Sequence, residues 1–265
     1  FLVLSGVPGS GKTATVLRLL LLRLRQAARA GRPCAIALAA PTGKAAQRLS
    51  QSLRLGLDDL RTQLAGHADG WEVALAALPE GARTLHRLLG ADPREDRFRH
   101  DADNPLPHDL VVVDEASMVD LGLMRALLDA LKPQATLVLV GDPDQLVSVS
   151  ADSVLADVVA AAAQEPLAGC LAPLQQGWRS GGRLPEVNAA VRAGDRAGLA
   201  ALAVDGVLQI QAAGDAAALD LRLREWSQRS EWQELAASAA EPSGTPEAVF
   251  AALRRLQLLC AMRRG

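Results

Sequence analysis

Short unbroken apolar runs alternate along this chain with longer stretches in which apolar residues recur at helical spacing. Phe1-Leu2-Val3-Leu4-Ser5 reads as a buried strand. From Ala14 to about Ala30 the spacing predicts a helix, with Leu17, Leu20, Leu21 and Leu24 on one side and Arg18, Arg25 and Arg29 elsewhere. Gly31-Arg32-Pro33 ends it. Cys34 to Ala39 predicts a second strand, followed by a helix from Ala45 to Leu55. Residues 56–108 are less regular. Leu57 to Leu64 and Trp71 to Leu78 predict short helices, and Thr84 to Gly90 predicts another, capped by Thr84 and stopped by Gly90. Arg94 to Asn104 mixes both charges and reads as an exposed loop or hairpin. Leu110 to Val113 and Ala135 to Val140 are further strands, with a helix from Leu121 to Leu131 between them that Pro133 closes. Later, Leu184 to Val191 and Ala217 to Trp226 have helical spacing, and Val207 to Gln211 that of a strand. Trp226 and Trp232 occupy helical positions, where core packing is expected and base stacking is the alternative. Strands alternating with helices predict an α/β fold: a parallel sheet with helices on both faces.

The ends of these strands carry polar residues in telling order. After the first comes Gly6-Val7-Pro8-Gly9-Ser10-Gly11-Lys12-Thr13, two glycines five apart and then Lys and Thr. Glycines let the backbone curl so that successive N–H groups face anionic oxygens, and a helix that starts at the loop adds its positive end. Lys12 would place an ammonium between the β- and γ-phosphates of ATP, and Thr13 would give its hydroxyl to Mg²⁺. A glycine-rich turn that binds nothing is the plain alternative; the strand before it and the helix after it weigh against that. Val113 leads into Asp114-Glu115, two acids at the carboxyl end of a β-branched run. Asp114 would reach Mg²⁺ through water, and Glu115 would act as general base on the attacking water. Val140 leads into Gly141-Asp142-Pro143-Asp144-Gln145, which can bring the Gln145 amide near a γ-phosphate. Pro41-Thr42-Gly43-Lys44 could hold a second phosphate, or could be a capped helix start with a solvated lysine. Spacing alone leaves the two open.

Charge and composition narrow the picture. The net charge is −2 over 265 residues, so no global positive field attracts a polyanion, and nucleic acid would need a local groove. Lys12, Lys44 and Lys132 are the only lysines in an arginine-rich chain. Compositional bias explains the scarcity, and lysine persists at the loop position, where a flexible ammonium differs from a planar guanidinium. Cys34, Cys170 and Cys260 are far apart and read as buried thiols in a reducing, cytoplasmic compartment. His67, His86, His100 and His108 form no ligand pair. No apolar run is long enough to span a membrane, since Arg18 and Arg23 interrupt Leu17 to Leu24. The chain opens on Phe1, mid-strand, which leads us to expect a piece of something larger.

Taken together the motifs resemble those of superfamily 1 helicases and, within them, the RecD family of exodeoxyribonuclease V alpha subunits. The matching residues are Gly6 to Thr13, Ala40 to Ala46, Thr84 to Gly90, Asp114 to Met118, and Gly141-Asp142 with Gln145-Leu146, in the family's order. Leu174 to Ser180 resembles the next helicase motif, with Trp178-Arg179-Ser180 where the family usually has Tyr-Arg-Phe. Gln257 to Ala261 resembles the stretch before the family's later motifs. The resemblance implies that Pro41, Thr42, Lys44, Thr84 and His86 face single-stranded DNA. It also implies that Gln145 senses γ-phosphate and that Arg179 is an arginine finger. It further implies a motor that moves 5′ to 3′ beside the other subunits of a RecBCD-type complex in double-strand-break repair.

The expectation is therefore a RecA-like P-loop NTPase with an incomplete second domain. Residues 1–168 would form the first RecA-like ATPase domain, with 56–108 a less regular insertion. Residues 169–265 would begin a second, truncated one. The family carries a domain before the phosphate loop and further motifs after the region matched here. The chain alone is thus expected to bind nucleotide weakly and to unwind nothing. The rival readings are an ATP-dependent switch or assembly module in a complex, without unwinding of its own, and a non-catalytic binding fragment.

Overall fold

A computed structural model describes residues 1–64, 71–92, 94, 97–145, 154–162, 164, 167, 169–174, 183–208, 216–228, 232–234, 236–237 and 250. In chain order the elements are β1 (Leu2–Gly6), α1 (Lys12–Arg29), β2 (Ile36–Ala40), α2 (Gly43–Leu64), α3 (Trp71–Ala76), β3 (Arg83–Thr84), α4 (Leu85–Leu89), β4 (Leu110–Val113), α5 (Leu121–Asp129), β5 (Thr136–Gly141), α6 (Val154–Ala161), β6 (Leu171–Leu174), α7 (Leu184–Ala193), α8 (Arg196–Val204) and α9 (Ala216–Ser227). The six strands form one sheet in the order β3-β2-β4-β5-β1-β6, and every named pairing is parallel.

The period of two along each strand decides which helices cover which face. Val3, Ala37, Ala39, Val111, Val113, Leu137 and Leu139 point to one side, where they meet Leu85, Leu88 and Leu89 of α4, Leu123, Met124 and Leu127 of α5, and Leu155 of α6. Leu4, Leu38, Leu110, Val112, Val138 and Val140 point to the other, against Val16, Leu17 and Leu20 of α1 and Leu49 and Leu53 of α2. Both faces being covered is why the strands read as continuous apolar runs rather than alternating ones. The α/β class and the two helical layers agree with the sequence reading, and the apolar stripe of α1 is the buried one.

Several boundaries differ, each for a packing reason. Ala45–Leu55 and Leu57–Leu64 are one helix, not two, because Gly56 is an interior contact rather than a break. A Cβ there would come within 2.9 Å of Leu17 Cδ2, so the glycine lets α2 lie close on α1. α1 begins at Lys12, so Lys12 and Thr13 are in its first turn. β6 pairs with β1, from Val3↔Leu171 to Gly6↔Leu174, so the sheet runs past the expected boundary at residue 168. The chain divides into two compact units, residues 1–199 and residues 200–265. In the second unit the rings of Trp226 and Trp232 meet edge-on, with centroids 4.8 Å apart. The strand expected over Val207 to Gln211 does not form in its described part: Val207 and Leu208 lie in a bend, and 209–211 fall outside the described residues. Cys34 and Cys170 are unbridged but only half-buried, not buried as expected; Cys260 lies outside the described residues.

The stripe on α1 gives a direct test. Leu20 is fully buried, whereas Leu22 on the same helix is half-exposed. Leu20→Ala should lower stability by about 2–5 kcal/mol, and Leu22→Ala should change it by less than about 0.5 kcal/mol. Urea unfolding followed by circular dichroism measures both.

Candidate nucleotide site

Parallel register places the carboxyl ends of β1, β5 and β4 side by side, through Ser5↔Gly141 and Val113↔Leu139. The loop after β1 turns through two left-handed residues, Gly9 at φ 82° and Gly11 at φ 86°. A side chain at either would be strained, which is what the motif spacing required. The start of the loop is tight for another reason. A Cβ on Gly6 would fall 2.9 Å from the Leu174 carbonyl oxygen of β6 and 2.5 Å from Ser10 Oγ. Ser10 is buried beneath the loop, and its hydroxyl has no hydrogen-bond partner among the described residues. Lys12 folds back over the loop and donates from Nζ to the carbonyls of Gly6 (2.6 Å) and Val7 (3.1 Å).

Around that ammonium stand three carboxylates. Burial pulls the Lys12 pKa below its ordinary value, while Asp142, Glu115 and Asp114 pull the other way. Asp114 shows the converse. Burial pushes its pKa up; the Glu115 backbone N–H, which donates to Asp114 Oδ1 at 3.0 Å, opposes this, the Glu115 charge adds to it, and Lys12 opposes it. Glu115 itself has φ 52°, the left-handed region, among the described residues the one non-glycine there. Such a conformation costs of order 1–3 kcal/mol. It ends β4 abruptly and sends the chain into a single 3₁₀ turn, Ala116–Met118. That turn lies against the end of β5: a Cβ on Gly141 would come within 3.3 Å of the Ala116 and Ser117 nitrogens.

The turn after β5 completes the edge. Asp142 is buried; its Oδ1 accepts the Asp144 N–H at 3.1 Å and its carbonyl accepts the Gln145 N–H at 3.1 Å. Ser117 Oγ donates to Gln145 Oε1 at 3.1 Å, which commits the amide oxygen and leaves its N–H groups as donors for an anion. Asp142 and Ser117 were inside motifs noticed in the sequence, but spacing assigned neither a role. Arg179, Leu146 and the rest of the stretch from Gln175 to Ser180 lie outside the described residues.

The expected DNA-facing residues lie farther along the same edge, where the adjacent strands β2 and β3 end and α2 and α4 begin. Thr42 Oγ1 accepts the Ala45 N–H at 3.2 Å and so caps α2; Thr84 Oγ1 accepts the Arg87 N–H at 3.2 Å and caps α4. The capped-helix alternative for Thr42 therefore describes its hydroxyl. Pro41 is half-buried, Lys44 and His86 are exposed, and the His86 ring lies 6.0 Å from that of Phe98. Among the described residues no group of three His, Cys, Asp or Glu side chains could by itself hold a metal ion, and no helix is long and apolar enough to cross a membrane.

Comparison with known proteins places this edge in context. An AAA domain family matches residues 1–151. Over 279 aligned residues the chain is 44% identical to the RecBCD enzyme subunit RecD of Mycolicibacterium smegmatis, covering 99% of this chain and 45% of that protein. It is 42% identical over 275 residues to the RecBCD enzyme subunit RecD of Mycobacterium tuberculosis, covering 99% of this chain and 43% of that one. It is also 39% identical over 149 residues to the ATP-dependent RecD2 DNA helicase of Deinococcus radiodurans, covering 56% of this chain and 16% of that protein. The chain thus spans somewhat under half the length of the relatives it matches end to end. The resemblance read from the motifs stands.

Asp114 makes a pH-dependent prediction. Its folded pKa is raised, so its buried charge opposes folding at neutral pH, and that penalty disappears as pH falls through the raised value. Asp114→Asn keeps the acceptor for the Glu115 N–H but carries no charge. The variant should melt above wild type at pH 7, and the gap should close below about pH 4, where the wild-type carboxyl is itself neutral. Melting curves across that range decide it.

Proposed function

This chain belongs to the AAA domain family, and from that premise we propose that it is the ATP-hydrolysing motor portion of a DNA helicase of the exodeoxyribonuclease V alpha-subunit type. In this reading it couples hydrolysis to movement on single-stranded DNA in double-strand-break repair, with the other subunits of a RecBCD-type complex as partners. The names of its relatives support the reading. The observation that carries it is the convergence of the phosphate loop, Asp114-Glu115 and the Asp142–Gln145 turn at one sheet edge, facing Lys12. In this reading residues 1–168 form the first RecA-like domain and residues 169–265 begin a second.

The roles in this reading draw on that geometry and, for Arg179 and the DNA-facing residues, on the resemblance to the helicase family. The loop amides and the first turn of α1 hold the phosphates of ATP. Lys12 exchanges the Gly6 and Val7 carbonyls for phosphate oxygens, which a flexible ammonium can do without moving the backbone. The Thr13 hydroxyl and the Asp114 carboxylate are hard oxygen donors at one edge, a set that fits Mg²⁺, which takes few protein ligands and completes its shell with phosphates and water. Bound there, Mg²⁺ would neutralise charge on the β- and γ-phosphates. Glu115 takes the proton of the attacking water. Gln145, its oxygen held by Ser117, presents its N–H groups to the γ-phosphate. Arg179 would add a charge to the transition state, a contribution worth about 10³–10⁵ in rate in comparable enzymes. Pro41, Thr42, Lys44, Thr84 and His86 would line the path of single-stranded DNA on the neighbouring strand ends.

The test is ATP hydrolysis with and without single-stranded DNA, for this chain and for the assembled complex. Stimulation by DNA in the complex is expected; hydrolysis indifferent to DNA would favour the switch or assembly module instead. Lys12→Ala should abolish turnover without unfolding the chain, because Lys12 touches loop and ligand rather than core. Glu115→Gln should lower kcat by about 10²–10⁴ while ATP binding survives, since the amide is nearly isosteric but takes no proton. Loss of binding together with turnover would make Glu115 a structural residue rather than the base.

A further inference from the structure

One charged side chain at this edge, Arg192, has no part in the roles above. Arg192 lies in the last turn of α7, and its guanidinium reaches the turn after β5. Nη2 stands 3.6 Å from Asp142 Oδ1 and pairs directly with Asp144 Oδ2. Asp142 is also the carboxylate that acts most strongly on Lys12. Lys12, Asp142, Arg192 and Asp144 therefore form a line of alternating charge that starts on the phosphate loop and ends on a helix from another part of the chain. We propose that Arg192 is a positioning residue: by holding Asp142 and Asp144 together it fixes the turn that carries Gln145, and so sets how well the site distinguishes ATP from ADP. The proposal rests on the ATPase reading above.

The physical argument is one of like charges. Asp142 and Asp144 are two residues apart, and Asp142 Oδ1 already accepts the Asp144 N–H. Two carboxylates confined to one such turn repel, and Lys12 can face only the inner one. A cation on the outer side removes the repulsion, and a guanidinium fork can engage both acids at once where a single ammonium cannot. Without it, Asp144 is free to swing into water. The turn then loosens, and the Gln145 amide, held to the neighbouring strand end by the Ser117 hydroxyl, loses its fixed backbone. The γ-phosphate is the part of the nucleotide that Gln145 would meet, so the loss should fall on ATP and spare ADP. A pair that merely ties down the end of α7 would have no such selectivity.

Equilibrium binding of fluorescent ATP and ADP analogues, with Mg²⁺, to this chain tests the idea in wild type, Arg192→Ala, Arg192→Lys and Asp144→Asn. Arg192→Ala should cut the preference for ATP over ADP about fivefold, through weaker ATP binding, with ADP affinity unchanged. Arg192→Lys should recover part of the preference, and Asp144→Asn, which removes one of the two repelling charges and keeps the backbone N–H that Asp142 accepts, should leave it near the wild-type value. An unchanged ratio in Arg192→Ala, or equal losses for both nucleotides, overturns the proposal while leaving the ATPase reading intact. A wild-type chain that binds neither nucleotide overturns the ATPase reading, and this proposal with it. If Arg192→Ala fails to fold, Arg192→Gln, which keeps a long polar side chain without the charge, carries the test, and an unchanged ratio in it overturns the proposal.

Discussion

An ammonium that has lost part of its water must be repaid by nearby oxygens, and the edge of the sheet is organised around that requirement at Lys12. Burial disfavours its charge, while two loop carbonyls and the carboxylates of Asp142, Glu115 and Asp114 favour it. Those three acids arrive from two different strands. Only a parallel sheet with β5 between β1 and β4 brings their carboxyl ends to the same place. The register is in turn fixed by the apolar alternation, since a slip of one residue would exchange the two buried faces of each strand.

The same edge concentrates strain that the rest of the fold must hold. Glu115 adopts a left-handed backbone without being glycine, beside a carboxylate that burial makes reluctant to ionise. Gly6 marks where backbone approaches backbone too closely for a Cβ, and at Gly141 a Cβ would meet the Leu155 side chain at 2.7 Å. These features sit on the ends of fully buried strands such as Val111–Val113, where two packed helical layers restrict movement. Rigid strands thus support a site whose charges would otherwise repel or hydrate.

Much of this was legible from residues alone. The strand runs, the stripe on α1, the cap and stop at Thr84 and Gly90, and the loop from Gly6 to Thr13 are local signals with a local cause, and they appear where the spacing put them. That the helices expected on either side of Gly56 are one was not legible, because nothing in the neighbouring sequence reveals that Leu17 occupies the space a Cβ there would fill. The pairing of β6 was not legible because strand pairing is a property of partners: Leu171–Leu174 is short, contains Pro173, and becomes part of the sheet only beside β1.

The sequence by itself determined the periodicities, the glycine positions with positive φ, and the identity of the groups that can meet phosphate and Mg²⁺, because each depends on covalent structure or on residues a few positions apart. Tertiary structure alone decided that Asp142, Glu115 and Asp114 would gather around a partly buried Lys12, that Ser117 would hold the Gln145 amide, and that Arg192 would close the turn from outside. Coulombic and hydrogen-bonding partners are chosen by distance in space, and for residues this far apart in the chain that distance exists only once strand order and helix packing have set it.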